Sequence, residues 1–157
     1  MALDCRTPRG RSFIAQQRET ARRLAAAWDA SLVETGDGAA ALVDALFVRG
    51  GVLVGLAEIK CRTLTLARLE TFGDYLVTEQ KLLAGAALSV ALRVPFVLAV
   101  RLEDAIVWWR ITDGRGRREL VWQTCRTETR ATCNGGSAVR QNAYLPLGEM
   151  VRLTTPL

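Results

Sequence analysis

The chain has 157 residues, half of them hydrophobic and 24% charged, which suits one domain able to bury roughly two-thirds of its unfolded surface and excludes disordered and fibrous classes. It contains no histidine, so Ser-His-Asp and Cys-His catalysis, histidine-ligated zinc and histidine-based nuclease chemistry are excluded. Chemistry here must use carboxylates, lysine and a hard metal, and the net charge of +5 permits a phosphate-rich partner without requiring one.

The opening residues, Met1 to Arg6, lack the basic start and apolar core of a secretory signal. From Ser12 to Trp28, apolar residues at Phe13, Ile14, Ala21, Leu24, Ala25 and Trp28 recur at helical spacing, which predicts an amphipathic helix. Ser31 to Val33 reads as a short strand and Thr35 to Gly38 as a turn. Two apolar runs, Ala41 to Val48 and Val52 to Lys60, flank Arg49-Gly50-Gly51 and read as a β-hairpin. A variable stretch from Cys61 to Thr71 precedes a predicted helix over Asp74 to Leu92. Pro95 then opens a second hairpin, Phe96 to Arg101 with Ala105 to Ile111, expected at the far end of the sheet. Arg93 and Pro95 interrupt the longest apolar stretch, Leu82 to Val100, so it reads as a buried helix and strand and not as a membrane span. After the turn Thr112 to Gly116, Arg118 to Thr124 reads as a further strand. Residues Cys125 to Asn142 read as a surface loop before a closing strand near Ala143 to Leu147. The element order is αββαββ, an α/β domain with one mixed sheet whose core covers residues 12–111, followed by an extension over 112–157. The four scattered cysteines form no Cys-x-x-Cys pair and are read as reduced thiols of a cytoplasmic protein; an iron-sulfur site joining Cys5, Cys125 and Cys133 matches no known spacing.

Along Val52 to Lys60 the side chains alternate, so Val52, Val54, Leu56, Glu58 and Lys60 are expected on one face. Glu58 and Lys60 close an apolar strand, where charge is costly unless paired, hydrated or metal-bound. Arginine outnumbers lysine 19 to 2, which makes Lys60 and Lys81 more informative than lysines usually are. The turn decides whether Asp44 joins Glu58. A two-residue loop, Gly50-Gly51, pairs position 44 with 57 and turns Asp44 to the wrong face. A three-residue loop with Gly51 in the left-handed conformation pairs position 44 with 56 and brings Asp44 diagonally beside Glu58. The second option gathers two carboxylates and a lysine, a set suited to phosphodiester hydrolysis: Asp44, Glu58 and the Ile59 carbonyl holding Mg²⁺ or Mn²⁺, with Lys60 orienting the nucleophile or stabilising developing charge.

Asp44, a glycine-turn hairpin, Glu58-Ile59-Lys60 after an apolar strand, and a following helix resemble the core of the PD-(D/E)xK nuclease superfamily. The resemblance implies a restriction-endonuclease-like α/β core, a central mixed sheet flanked by helices, and metal-dependent cleavage of DNA. The matching acids would bind metal and the matching lysine would assist catalysis. By the same resemblance, Glu19 in the first helix matches a position that adds an acidic group, and Gln80 or Lys81 matches a supplementary polar position. Val43 stands where the superfamily name expects proline. Arg62 and Arg68 are expected to touch phosphate, with Gln80 as a further nucleic-acid contact. The small size resembles Holliday-junction resolvases, which implies a homodimer because two symmetric strands are cut. No membrane partner is expected. The alternative is a catalytically inactive nucleic-acid-binding or assembly module on the same fold. Gly36 to Ala41 also shows a Gly-x-Gly-x-x-Ala pattern of dinucleotide sites, but Gly50-Gly51 follows too soon for a crossover helix. Of Trp108 and Trp109, at least one ring is expected to face outward.

Overall fold

The computed structural model describes residues 7–35, 41–115, 117–129 and 137–154. The Gly36–Ala41 pattern, all but its last residue, and Cys5 and Cys133 lie outside the described residues.

The first helix, α1 (Pro8–Ala27), starts four residues earlier than the apolar pattern predicts. Thr7 caps it, its side chain accepting from Gly10 N at 2.9 Å, and Pro8 fits the first turn, where no amide donor is needed. A short strand, β1 (Ser31–Glu34), leads to the hairpin of β2 (Ala45–Arg49) and β3 (Val52–Cys61). Gly50 and Gly51 both adopt positive φ, 57° and 78°, and Arg49 pairs with Val52, so the loop has two residues and not three. Neither register expected from the sequence occurs. A bulge shifts the ladder: Val48 pairs with Leu53, Phe47 with Gly55 and Ala45 with Ala57. The additional residue, Val54, leaves the face of Leu56 and packs with Phe47, Ala57 and Ile59 against α1. That one-residue offset cancels the parity error of the two-residue turn. Asp44, just outside the ladder, therefore reaches Glu58's neighbourhood for a different reason than expected.

The segment 61–71 contains a short helix, α2 (Leu66–Glu70). The helix expected over Asp74 to Leu92 divides into a strand, β4 (Asp74–Thr78), and α3 (Glu79–Leu92). Tyr75 and Val77 alternate into the core while Leu76 and Thr78 do not, a period of two that overrides the helix-forming run behind it. α3 packs closely on the sheet through Gly85, where a Cβ would lie 2.2 Å from the Phe96 ring. β5 (Phe96–Arg101) runs parallel to β3, Glu58 beside Leu98 and Lys60 beside Val100, so it is central and not at the far end. β6 (Ile106–Thr112) returns antiparallel, and β9 (Val151–Arg152) borders it. The central mixed sheet has the order β1-β2-β3-β5-β6-β9, with α1 on one face and α3 on the other. Trp109 is fully buried and the half-buried Trp108 packs edge-on against Trp28 at 5.6 Å, so neither tryptophan projects as a free platform.

A second sheet, absent from the sequence reading, has the order β4-β8-β7, from β7 (Gln123–Thr129) and β8 (Ala138–Pro146). The stretch expected to be a loop from Cys125 to Asn142 therefore supplies most of an antiparallel pair. Its polar residues are those of a strand pair with much of its surface exposed, a pattern that leaves no apolar period to find. Tyr75, Val77, Ala143 and Leu145 bury their side chains in the core cluster that also holds Leu98 and Trp109. Among the described residues no helix is long and apolar enough to cross a membrane.

Candidate active site

The carboxylate of Glu58 is fully buried at the C-terminal half of β3. Its Oε1 lies 2.5 Å from Lys60 Nζ and 3.7 Å from Lys81 Nζ, the second lysine arriving from the first turn of α3. Its other oxygen, Oε2, is buried with no hydrogen-bond partner among the described residues. An uncompensated carboxylate oxygen in a low-dielectric interior is costly, and such groups persist where a ligand completes them. Asp44 sits alongside, its Oδ2 accepting the Ile59 amide at 2.7 Å. Burial, and next the negative charge of Glu58, push the Asp44 carboxyl above the usual range, while Lys60, the Ile59 amide and Lys81 pull the other way. Burial also works against the Lys60 ammonium, but the carboxylates of Glu58 and Asp44 outweigh it and hold its pKa above the ordinary lysine value. The structure thus brings Asp44, Glu58, Lys60 and Lys81 together.

The Ile59 carbonyl accepts from Gln17 Nε2 at 3.0 Å and keeps a second lone pair. Gln17 was not among the residues predicted from sequence. It stands four and seven residues before Ala21 and Leu24 and fills a gap in the apolar stripe of α1, a signal available to helical phasing. Tyr75 was missed because β4 was read as helix. Its buried phenol lies near Lys60 and Arg62; burial pushes its pKa up while the two cations oppose the shift.

Glu19 is placed elsewhere. Its carboxylate meets Arg101 Nη1 at 2.8 Å and Arg23 at 3.1 Å, and Arg101 and Ala99 extend from β5 on the α1 side. The Arg101 hydrogen bond and charge lower the Glu19 pKa. The sequence reading that put Glu19 in the catalytic cluster is corrected accordingly: its recorded partners are arginines on the opposite face from Glu58. Arg62 is exposed, donates to the Cys61 carbonyl at 3.1 Å and holds its guanidinium 5.7 Å from the Tyr75 ring centre. Arg68, in α2, is exposed and lies over the Phe72 ring at 5.0 Å; Gln80 is exposed in the first turn of α3.

Among the described residues no three His, Cys, Asp or Glu side chains gather into a metal cluster. A cation held here would take two carboxylates together with carbonyl and water oxygens, a donor set that suits Mg²⁺. The unpartnered Glu58 Oε2, the free lone pair on Ile59 O and the adjacent Asp44 fit that group.

Residues 11–128 match a family model described as "Phage putative PDDEXK endonuclease". None of the curated proteins compared with the sequence matches it. Among solved structures, the fold is similar to that of Hjc from Archaeoglobus fulgidus, a Holliday junction resolvase from an archaeal hyperthermophile. The two share 10% identity with a TM-score of 0.50, over 83% of this chain and 88% of the other.

Proposed function

Because the chain belongs to the phage PDDEXK endonuclease family, and so to the PD-(D/E)xK nucleases, we propose that it hydrolyses DNA phosphodiester bonds with the help of a divalent metal. The observation that carries this reading is the buried Glu58, with one oxygen on Lys60 and the other unpartnered beside Asp44. Asp44, Glu58 and the Ile59 carbonyl would hold Mg²⁺ or Mn²⁺. When bound, such an ion polarises a phosphate oxygen and lowers the pKa of its water. Asp44 is oriented by the Ile59 amide, so its carboxylate is fixed relative to the strand that carries Glu58. Lys60 supplies positive charge where it develops on phosphate, and Lys81 adds a second cation to the same carboxylate cluster. Arg62, Arg68 and Gln80, all exposed, are the proposed backbone contacts. Glu19 acts by holding Arg101 and not by binding metal.

A preference for branched DNA, and action as a pair of identical subunits, belong to the same proposal. They are supported by the small size of the chain and the likeness of its fold to a resolvase.

The test is cleavage of labelled four-way junction, flap, duplex and single-stranded DNA with Mg²⁺ or Mn²⁺ against EDTA, beside Lys60→Ala, with the elution volume of the protein recorded. Metal-dependent cutting that the variant loses is the expected result. Binding of every substrate without cutting of any would overturn catalysis and favour a nucleic-acid-binding module.

A further inference from the structure

Lys60 is held in this structure by Glu58 Oε1, the same carboxylate proposed above to receive a metal ion. A metal ion on Oε2 would draw the carboxylate charge away from the ammonium on Oε1, and two cations on one carboxylate repel each other at close range. Lys60, held less strongly by Glu58, then gains from another acceptor that keeps it in the site.

Tyr75 supplies one. The sheet pairs Glu58 with Leu98 and Leu98 with Trp109, and the Tyr75 ring stacks on Trp109 at 5.4 Å and 24°. Lys60 lies two residues along β3 from Glu58, on the same face. Trp109 is itself fixed, donating from Nε1 to the Pro146 carbonyl at 2.9 Å, while Pro146 pairs with Asp74 next to Tyr75. The Tyr75 hydroxyl is buried and makes no well-formed hydrogen bond among the described residues, although the Arg62 guanidinium lies close enough to act on it. A buried hydroxyl without a well-formed hydrogen bond costs stability, a cost that a partner gained in another state recovers.

We propose that Tyr75 is a positioning residue whose phenolic oxygen accepts Lys60 Nζ when Glu58 turns its carboxylate to a metal ion. The lysine is thereby kept over the reacting phosphate instead of extending into solvent. This rests on the metal-site reading of Asp44 and Glu58.

The chain has two tyrosines, so ring-labelled ¹³C-tyrosine gives one probe at Tyr75 and one internal control at Tyr144. Mg²⁺ added to the whole protein without DNA, with binding followed by calorimetry, is expected to move the Tyr75 Cζ resonance at the binding midpoint and leave Tyr144 still. In Lys60→Met, Mg²⁺ is expected to bind while the Tyr75 response disappears. A silent Tyr75 with Mg²⁺ bound, or an equal response in Lys60→Met, overturns this inference alone; absence of Mg²⁺ binding overturns it together with the metal-site reading. In Tyr75→Phe, loss of a buried hydroxyl without a well-formed hydrogen bond is expected to raise Tm by about 2–4 °C. The same variant is expected to lower kcat ~10-fold at unchanged KM. Stability and kcat falling together would mark a merely structural residue and overturn the proposal.

Discussion

Two charged clusters occupy opposite faces of the central sheet and use the same kinds of side chain. On the α1 face, Glu19 is shared between Arg101 and Arg23, its side chain 45% exposed, and both of its oxygens have cationic partners. On the α3 face, Glu58 is sealed from solvent, contacts two lysines through one oxygen and leaves the other empty-handed beside a second carboxylate. The first is complete as it stands, while the second sets two carboxylates against two lysines and still leaves a buried oxygen with no partner among the described residues. An ion pair therefore says little until its remaining lone pairs are counted. By that criterion the α3 face is where an external group belongs.

Breaking the α3 cluster is expected to have the largest effect. Lys60→Ala should lower the cleavage rate by ~100-fold or more while circular dichroism shows the fold retained, since removing a preorganised charge at a reacting phosphate costs that much. Asp44→Asn should weaken Mg²⁺ binding at least ~10-fold by calorimetry, more than an outer-shell change would, with the Ile59 amide still accepted. Gly85→Ala tests the support under Lys81. A Cβ there meets the Phe96 ring, so α3 must shift, at an overpacking cost of about 1–3 kcal/mol in denaturant unfolding and with reduced cleavage.

The two acids should also answer pH in opposite directions in metal-free protein. Asp44, raised in the fold, favours folding when protonated; that contribution is lost as pH climbs through its folded value, and Asp44→Asn should flatten the decline in Tm. Glu19, lowered by Arg101, contributes above the ordinary glutamate value and loses it as pH falls, so Glu19→Gln should blunt acid sensitivity. The smallest effect expected is on catalysis in Glu19→Gln, which should cleave at close to the unaltered rate; a loss comparable to that of Lys60→Ala would return Glu19 to the catalytic cluster.

The strands that build the site were legible where burial imposed a period on the sequence. β3, β5 and β6 are apolar runs bounded by turn residues, and Glu58-Ile59-Lys60 stands out because charge ends an apolar strand. The route by which Asp44 arrives was not legible, because a bulge at Val54 leaves no mark in a run where Leu53, Val54 and Leu56 are all apolar. β4 was hidden for a different reason: five residues with a period of two abut fourteen with high helical propensity, and the longer signal dominated. With β4 misread, Tyr75 was invisible, and so was the second sheet, whose strands β7 and β8 bury too few side chains to show a period.

The pairing of β4 with β8 has a consequence for a chain emerging from the ribosome. β4 is synthesised before α3, β5, β6 and β7, yet it borders only β8 in its sheet, which comes after them all. During elongation at roughly 5–20 residues per second, Asp44, Glu58 and Lys60 are therefore already in the nascent chain while the strand carrying Tyr75 waits unpaired. An unpaired apolar strand is an invitation to chaperones and to neighbouring chains. The β4 side of the core is thus closed only once β8 has been made, and premature termination before β8 would leave Tyr75 and Val77 without the Ala143 and Leu145 side chains they share a core with.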